Sequence, residues 1–229
     1  SLKRLQTDFI DIFWLHAWDF LTPTEEILKG LNDLISAGKV HYIGISDTPA
    51  WVVARANTIA ELRGWSAFVG LQVEYSLLQR TAERDLIPMA KEMGLALTPW
   101  APLAGGALSG KYLKGEEGRV KEVSQRRNER SNSIAQKVVD IASEMNVNPS
   151  HVALKWTMQK DFTSIPIVGA RTAEQIEDSL KTTTINLSQK HIDELNEVSK
   201  IDLGFPHDFL QQNDVKTILY SGTFDQIKK

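Results

Sequence analysis

Short apolar runs alternate with amphipathic stretches along most of this chain, at a spacing of about thirty residues, and that rhythm limits it to a parallel sheet built from βαβ units. The first run, DFIDIFWL (Asp8 to Leu15), is short and aromatic enough for a buried strand. A helix should follow, with Thr22 as its cap, Pro23 at its first position, Glu25 completing a capping box, and Ile27, Leu28, Leu31, Leu34 and Ile35 on one face until Gly38. HYIGIS (His41 to Ser46) is the second strand. Thr48-Pro49 then opens a helix whose stripe is Val52, Val53, Ala56, Ile59 and Ala60 before Gly64. A third strand over Phe68 to Val73, a helix over Glu83 to Glu92 and a fourth strand over Leu95 to Trp100 continue the pattern. Further on, Ile134, Val138, Ile141, Ala142 and Met145 mark one helix and Val152, Ala153 and Trp156 another, and SIPIVG (Ser164 to Gly169) reads as a fifth strand. Thr172 and Ser188 cap two last helices, and the tail from Gly204 reads as irregular.

Two parallel architectures compete. A doubly wound sheet that binds dinucleotides carries G-x-G-x-x-G after its first strand, and this chain has HAWDFLTP there. A (β/α)8 TIM barrel gathers polar residues at the carboxyl ends of several strands, where His16, Ser46, Gln72, Trp100 and Gly169 lie. The barrel fits better. Closure takes eight strands and five are read here, so the expectation is an incomplete barrel, strands 4 to 8 with their helices, whose first three βα units precede the chain or come from another one. Leu2, Leu5 and Phe9 with Lys3 and Arg4 between them look like the end of a helix, as if the chain begins in mid-domain. A single barrel domain over 1–229 is expected, with a loop insertion at 111–132 and a C-terminal tail at 204–229 near the substrate pocket.

Composition excludes several function classes. The net charge of −3 gives no global field for nucleic acid or an anionic membrane. Without cysteine there are no disulfides, thiol nucleophiles or cysteine-held metals, which fits a reducing compartment and makes the cytoplasm the default. No apolar run reaches the roughly 20 residues of a membrane helix, and SLKRLQTDFI has no apolar core of a signal peptide. The five histidines are scattered without metal-ligand spacing, so no metal site is expected. Arg126, Arg127 and Arg130 are interleaved with acidic residues and read as a solvated face.

Two stretches point to phosphate. LAGGALSGKY (Leu103 to Tyr112) spells G-x-x-x-x-G-K, but Tyr112 stands where a P-loop needs Ser or Thr for magnesium. Gly105, Gly106 and Gly110 still permit close backbone approach, Ser109 brings a hydroxyl and Lys111 a charge. Independently, Gly169-Ala170-Arg171-Thr172 joins a strand end to a helix N-terminus, where free N–H groups, the helix dipole and a guanidinium favour an anion. Two phosphate sites on neighbouring barrel loops suit a ligand with separated phosphates.

The stretches LKRLQTDFIDIFWLH, GKVHYIGIS, LQVEYSLLQR, PWAPLAGGALSGKY and IPIVGARTAEQIEDSL, in this order and spacing, resemble the aldo-keto reductase family across essentially the whole chain. The resemblance implies a barrel that moves hydride between nicotinamide and a small carbonyl substrate, with NADP(H) as cofactor and NAD(H) as the other option. It places His16 at the substrate carbonyl, Ser46, Asp47 and Gln72 on the nicotinamide carboxamide, and Trp100 stacked on the ring. It further gives Ala101, Leu103, Gly105 and Lys111 to the pyrophosphate, where the Ser109 hydroxyl is added from the loop itself, and Gly169, Arg171, Gln175, Asp178 and Ser179 to adenine and its ribose phosphate. Many members carry Asn where Asp47 stands. The family's proton-donor tyrosine, with its lysine and aspartate, belongs to the first three strands, and Tyr42, Tyr75 and Tyr112 match none of those motifs. By the same resemblance, a non-catalytic nicotinamide-binding regulatory subunit, like the β subunits of potassium channels, is the alternative.

Overall fold

Every strand of the sheet owes its position to a helix that follows it and folds back along one face. The computed structural model describes residues 1–115 and 126–227, and the chain forms two compact units, Ser1–Ser199 and Lys200–Lys229. In the first, a single turn α1 (Leu2–Leu5) precedes β1 (Ile10–Leu15), α2 (Thr24–Ser36), β2 (Val40–Ser46), α3 (Ala50–Arg63), β3 (Phe68–Glu74), α4 (Leu86–Glu92) and β4 (Ala96–Trp100). Then come α5 (Glu129–Met145), α6 (Pro149–Met158), α7 (Ala173–Leu180) and α8 (Gln189–Val198). Much of the expected insertion at 111–132 lies outside the described residues. Of the rest, Lys111–Lys114 is a 3-10 turn, and α5 already begins at Glu129, capped by Asn128 and Ser131 in a reciprocal box. In the second unit the tail is more regular than its glycines predict, with α9 (His207–Gln211) and α10 (Asn213–Tyr220).

The expected capping box at α2 does not form. Asp19 intervenes: its Oδ1 accepts from the backbone N–H groups of Leu21 and Thr22 at 3.0 Å, and its Oδ2 takes the Thr22 hydroxyl at 2.6 Å. A carboxylate is a stronger acceptor than the helix offers Thr22 in return, and these bonds, the Thr22 hydroxyl first, hold the Asp19 carboxyl at about 2. Pro23 is left as the N-cap, without a side-chain bond. The other expected caps are made, with Thr172 Oγ1 accepting from Gln175 N at 3.3 Å and Ser188 Oγ from His191 N at 3.2 Å. Gly64, at φ 64°, closes α3 by returning its N–H to Ala60 and Glu61, a left-handed cap that costs glycine little. The expected helix over 83–92 starts later, because Thr81–Glu83 form a separate 3-10 turn.

The four strands pair in parallel in the order β1-β2-β3-β4. Ile43, Ile45, Leu71, Val73 and Leu97 are buried, packing in one cluster with Leu28, Val53, Ile134, Val138 and Trp156 of the helices. Each such side chain contributes about 1.5–3 kcal/mol by leaving water. Since side chains alternate, the register puts three rows on the opposite face: Trp14 beside Gly44, Gly70 and Ala96, then Ser46, Gln72 and Thr98, then Glu74 and Trp100. The glycines make room for the indole. A Cβ on Gly44 would stand 2.4 Å from Trp14 Cε3, and one on Gly70 2.8 Å from Cη2.

The fifth strand is reduced to one parallel bridge, Leu97 with Ser164. Leu97 N donates to Thr163 O at 2.9 Å, Ile165 N to Leu97 O at 2.8 Å and Ile167 N to Pro99 O at 2.8 Å. The next rung would need an N–H from Pro99, which has none, so the segment runs along β4 without a continuous ladder.

Candidate functional site

The polar rows of the open sheet face end at the carboxyl ends of β2, β3 and β4. Ser46 closes β2 fully buried, and its Oγ has no hydrogen-bond partner among the described residues. Asp47 steps out of the strand at φ 43°, in the left-handed region that Asp tolerates better than most residues, and its N–H still donates to Gln72 O at 3.2 Å. Its Oδ1 accepts from Trp100 Nε1 at 3.1 Å, across the end of β3. Gln72 is half-buried between them, in register with Ser46 and Thr98. His16 follows β1 directly and is exposed, one step beyond the Leu15–Ile45 pair. These ends are adjacent because the strands are sequential neighbours in a parallel sheet.

Glu74 belongs to this face as well. Taken alone, its place beside Gln72 reads as pointing away, but residues two apart on a strand share a face, and Glu74 sits in register with Trp100. Its carboxylate pairs with the Arg126 guanidinium. Arg127 lies over the Tyr112 ring and Arg130 donates to the carbonyls of Leu78 and Ser199, so these three arginines serve the fold.

After Trp100 the backbone turns through a run of positive φ, at Ala101 (49°), Ala104 (50°), Gly105 (70°) and Gly106 (92°), with Gly110 at 79°. The turn folds on itself, with Ala104 N donating to Ala101 O at 2.8 Å. Lys111 lies against it, since a Cβ on Gly106 would come within 3.1 Å of its Cε and 3.2 Å of its Nζ. Leu103 starts the turn, its carbonyl accepting from Gly106 N at 2.9 Å and Leu108 N at 3.4 Å. The Ser109 hydroxyl donates to Gly106 O at 2.8 Å and so braces the loop. Tyr112 is a staple: it is buried, its hydroxyl reaches Gly105 O at 3.5 Å, and its ring carries Lys111 Nζ at 4.9 Å and Arg127 at 4.7 Å from the centroid.

The second anion signal falls on the α7 N-terminus. Gly169 and Arg171 are exposed there, and Gln175 Oε1 accepts from Arg171 N at 2.8 Å, so the Gln175 amide is committed to shaping this turn. The Ser179 hydroxyl donates back to Gln175 O at 2.9 Å. Asp178 is engaged toward α6: Asn148 Nδ2 donates to its Oδ2 at 3.3 Å, and His151 Nε2 approaches the same atom at 3.2 Å. That approach is close enough for an ion pair but poorly directed for a hydrogen bond. Asp178, Asn148, His151 and Lys181 border a cavity of about 580 Å³ that Arg171, Gln175 and Ser179 do not line. A second cavity, about 510 Å³, opens beside Asp47 and Glu74 with Phe20, Thr48 and Leu86 on its walls. Among the described residues no group of three His, Asp or Glu side chains is placed to hold a metal, and no helix is long and apolar enough to cross a membrane.

Sequence reading missed Trp14, Glu74 and His151. The two-residue period and the glycines at 44 and 70 carried a signal for the first two; the His151–Asp178 approach depends on how α6 meets α7 and carried none. Residues 1–200 match the family model described as the aldo/keto reductase family. The chain belongs to that family. Its fold is a (β/α)8 barrel, and the parallel sheet with its helices is part of one. Similar proteins include norsolorinic acid reductase of Aspergillus flavus, 34% identical over 210 residues, covering 92% of this chain and 53% of that protein. An NADP(+) aryl-alcohol dehydrogenase of Phanerodontia chrysosporium is 36% identical over 216 residues (90% and 56%), and an uncharacterised oxidoreductase of Bacillus subtilis 37% over 198 residues (86% and 61%). The chain spans about half the length of the first two of these relatives.

Proposed function

We propose that this chain carries the cofactor-holding part of a reductase that uses NADP(H), or less readily NAD(H), to convert an aldehyde or ketone to an alcohol. The observation that carries the reading is the buried Ser46 hydroxyl, without a hydrogen-bond partner among the described residues, at a strand end next to Asp47 and in register with Gln72. A buried polar group without a partner costs about 1–3 kcal/mol, and a ligand amide would relieve it. The positive-φ loop over Ala101 to Gly110 and the Arg171 end of α7 fit two phosphate groups in the same way. Bound there, a nicotinamide would supply hydride chemistry for the carbonyl carbon.

In this reading the chain's own residues orient and exclude water. Trp100 covers one side of the ring, Ser46 and Gln72 hold the carboxamide, and the loop amides with Lys111 neutralise pyrophosphate charge. His16 donates toward the carbonyl oxygen and so favours charge building there as hydride arrives. Tyr75 and Tyr112 are occupied elsewhere, the first donating to Glu83 at 2.7 Å, so the proton that completes the alcohol is assigned to neither of them but, as the resemblance implies, to the family's tyrosine on the first three barrel strands. The names of the relatives, an aryl-alcohol dehydrogenase among them, support aromatic aldehydes as the first substrates to try.

The test is binding of NADPH and NADH by calorimetry, followed by loss of reduced-nicotinamide absorbance with an aromatic aldehyde. Turnover is read in protein extended upstream by the three βα units that carry the proton-donor tyrosine, the chain by itself being expected to show none. Arg171→Met should weaken NADPH by about tenfold, as expected for one charge-assisted contact, and leave NADH within about twofold. Equal losses for both would remove Arg171 from the phosphate.

A further inference from the structure

We infer that Asp47 is a positioning residue for Trp100, its carboxylate fixing the plane of the indole across the end of β3. The role in binding rests on the cofactor reading above; the geometry does not. The backbone dictates where the Asp47 side chain goes. Ser46 is locked in the ladder, Asp47 N is tied to Gln72 O, and the Thr48 hydroxyl donates to Ser46 O at 2.8 Å just before Pro49. At φ 43° between these anchors the carboxylate turns back over the sheet instead of continuing outward. An indole has one donor, and Trp100 spends it on Asp47 Oδ1. With its backbone paired to Glu74 on one side and its Nε1 held from two strands away, the ring keeps little rotational freedom. A ring held ready in one plane binds a stacking partner without first losing that freedom.

The position also explains why an acid is tolerated where many family members carry Asn. Either residue accepts from an indole N–H, and both adopt the left-handed conformation. Only the amide can donate as well, and the indole needs no donor.

The protein labelled with 15N shows one indole N–H resonance per tryptophan, six in all, and Trp100→Phe identifies its own by loss. In the free protein, Asp47→Ala should shift that resonance upfield and speed its exchange with water, while Asp47→Asn should leave it near its native place. NADPH binding should weaken by about tenfold in Asp47→Ala, stay within about twofold in Asp47→Asn, and show no further loss when Asp47→Ala is added to Trp100→Phe. An unmoved resonance in Asp47→Ala, or an equal loss of affinity on the Trp100→Phe background, overturns the inference. Wild-type protein that binds no NADPH overturns the cofactor reading instead, and the two failures are told apart because the resonance is read without cofactor.

Discussion

Replacing glycine by alanine should have opposite signs at two places in this chain, and the difference tests the account of the sheet face. Gly30 lies exposed inside α2, with nothing within 4 Å of an added Cβ. Alanine there should stabilise by about 0.5–1 kcal/mol, the helical cost of glycine. At Gly44 the same gain applies to the strand, but the new methyl would meet Trp14 at 2.4, 2.5 and 2.8 Å. Carbon atoms rest at about 3.5–4.0 Å, so the indole must retreat by an ångström or more. Overpacking of this kind costs about 1–3 kcal/mol. Trp14 is only half-buried, which favours the lower end, and subtracting the strand gain leaves a net loss of about 0.5–2 kcal/mol. Thermal unfolding reads this as a drop of roughly 1–8 °C for Gly44→Ala and a rise of about 1–4 °C for Gly30→Ala. Trp14→Leu in the Gly44→Ala background should recover most of the difference. If Gly44→Ala is as stable as Gly30→Ala, the indole does not lie across β2 and the rows of the site face are wrongly assigned.

Two further perturbations probe the wall behind the site. Glu83 accepts from Tyr75 at 2.7 Å and from Arg80 twice at 2.9 Å, with both charged side chains less than a quarter exposed, so Glu83→Ala should cost about 2–3 kcal/mol in urea unfolding. A loss below about 0.5 kcal/mol would mean the pair is effectively solvated. Lys160 sits against the Trp156 and Tyr75 rings, and burial pulls its ammonium down to about 7. The unfolded chain then holds a proton that the folded one lacks between about pH 7 and pH 10.5, so stability should rise with pH over that window. Lys160→Met should remove that part of the slope, and a wild-type curve parallel to that of Lys160→Met would refute the shift.

Helices were the most readable part of this chain, because one apolar stripe every three or four residues has few rival explanations. Their ends were less so. Thr22 carries every local sign of a cap, yet Asp19, three residues back, offers a better acceptor. The shortened fifth strand turns on one missing N–H at Pro99, visible in the sequence only once the partner strand is known. Site residues at strand ends could be proposed one by one, since a parallel sheet collects them in a predictable place. What could not be read was how they meet: Asp47 and Trp100 are 53 positions apart, and nothing local announces that a carboxylate will cross β3 to an indole. The Glu74–Arg126 pair, 52 positions apart, is hidden for the same reason.

Tyr112 stands where a P-loop keeps its magnesium ligand, and instead gathers two cations on one ring. The chain as a whole is acidic, with a net charge of −3, so an approaching anion is weakly repelled at long range. Close to the loop, Lys111 and Arg127 both lie on the Tyr112 ring, which brings no charge of its own. In the proposed reading the attraction for a phosphate here acts only within about a Debye length, roughly 8–10 Å. A phenol in place of the magnesium-holding Ser or Thr hydroxyl leaves the P-loop spelling without its metal ligand.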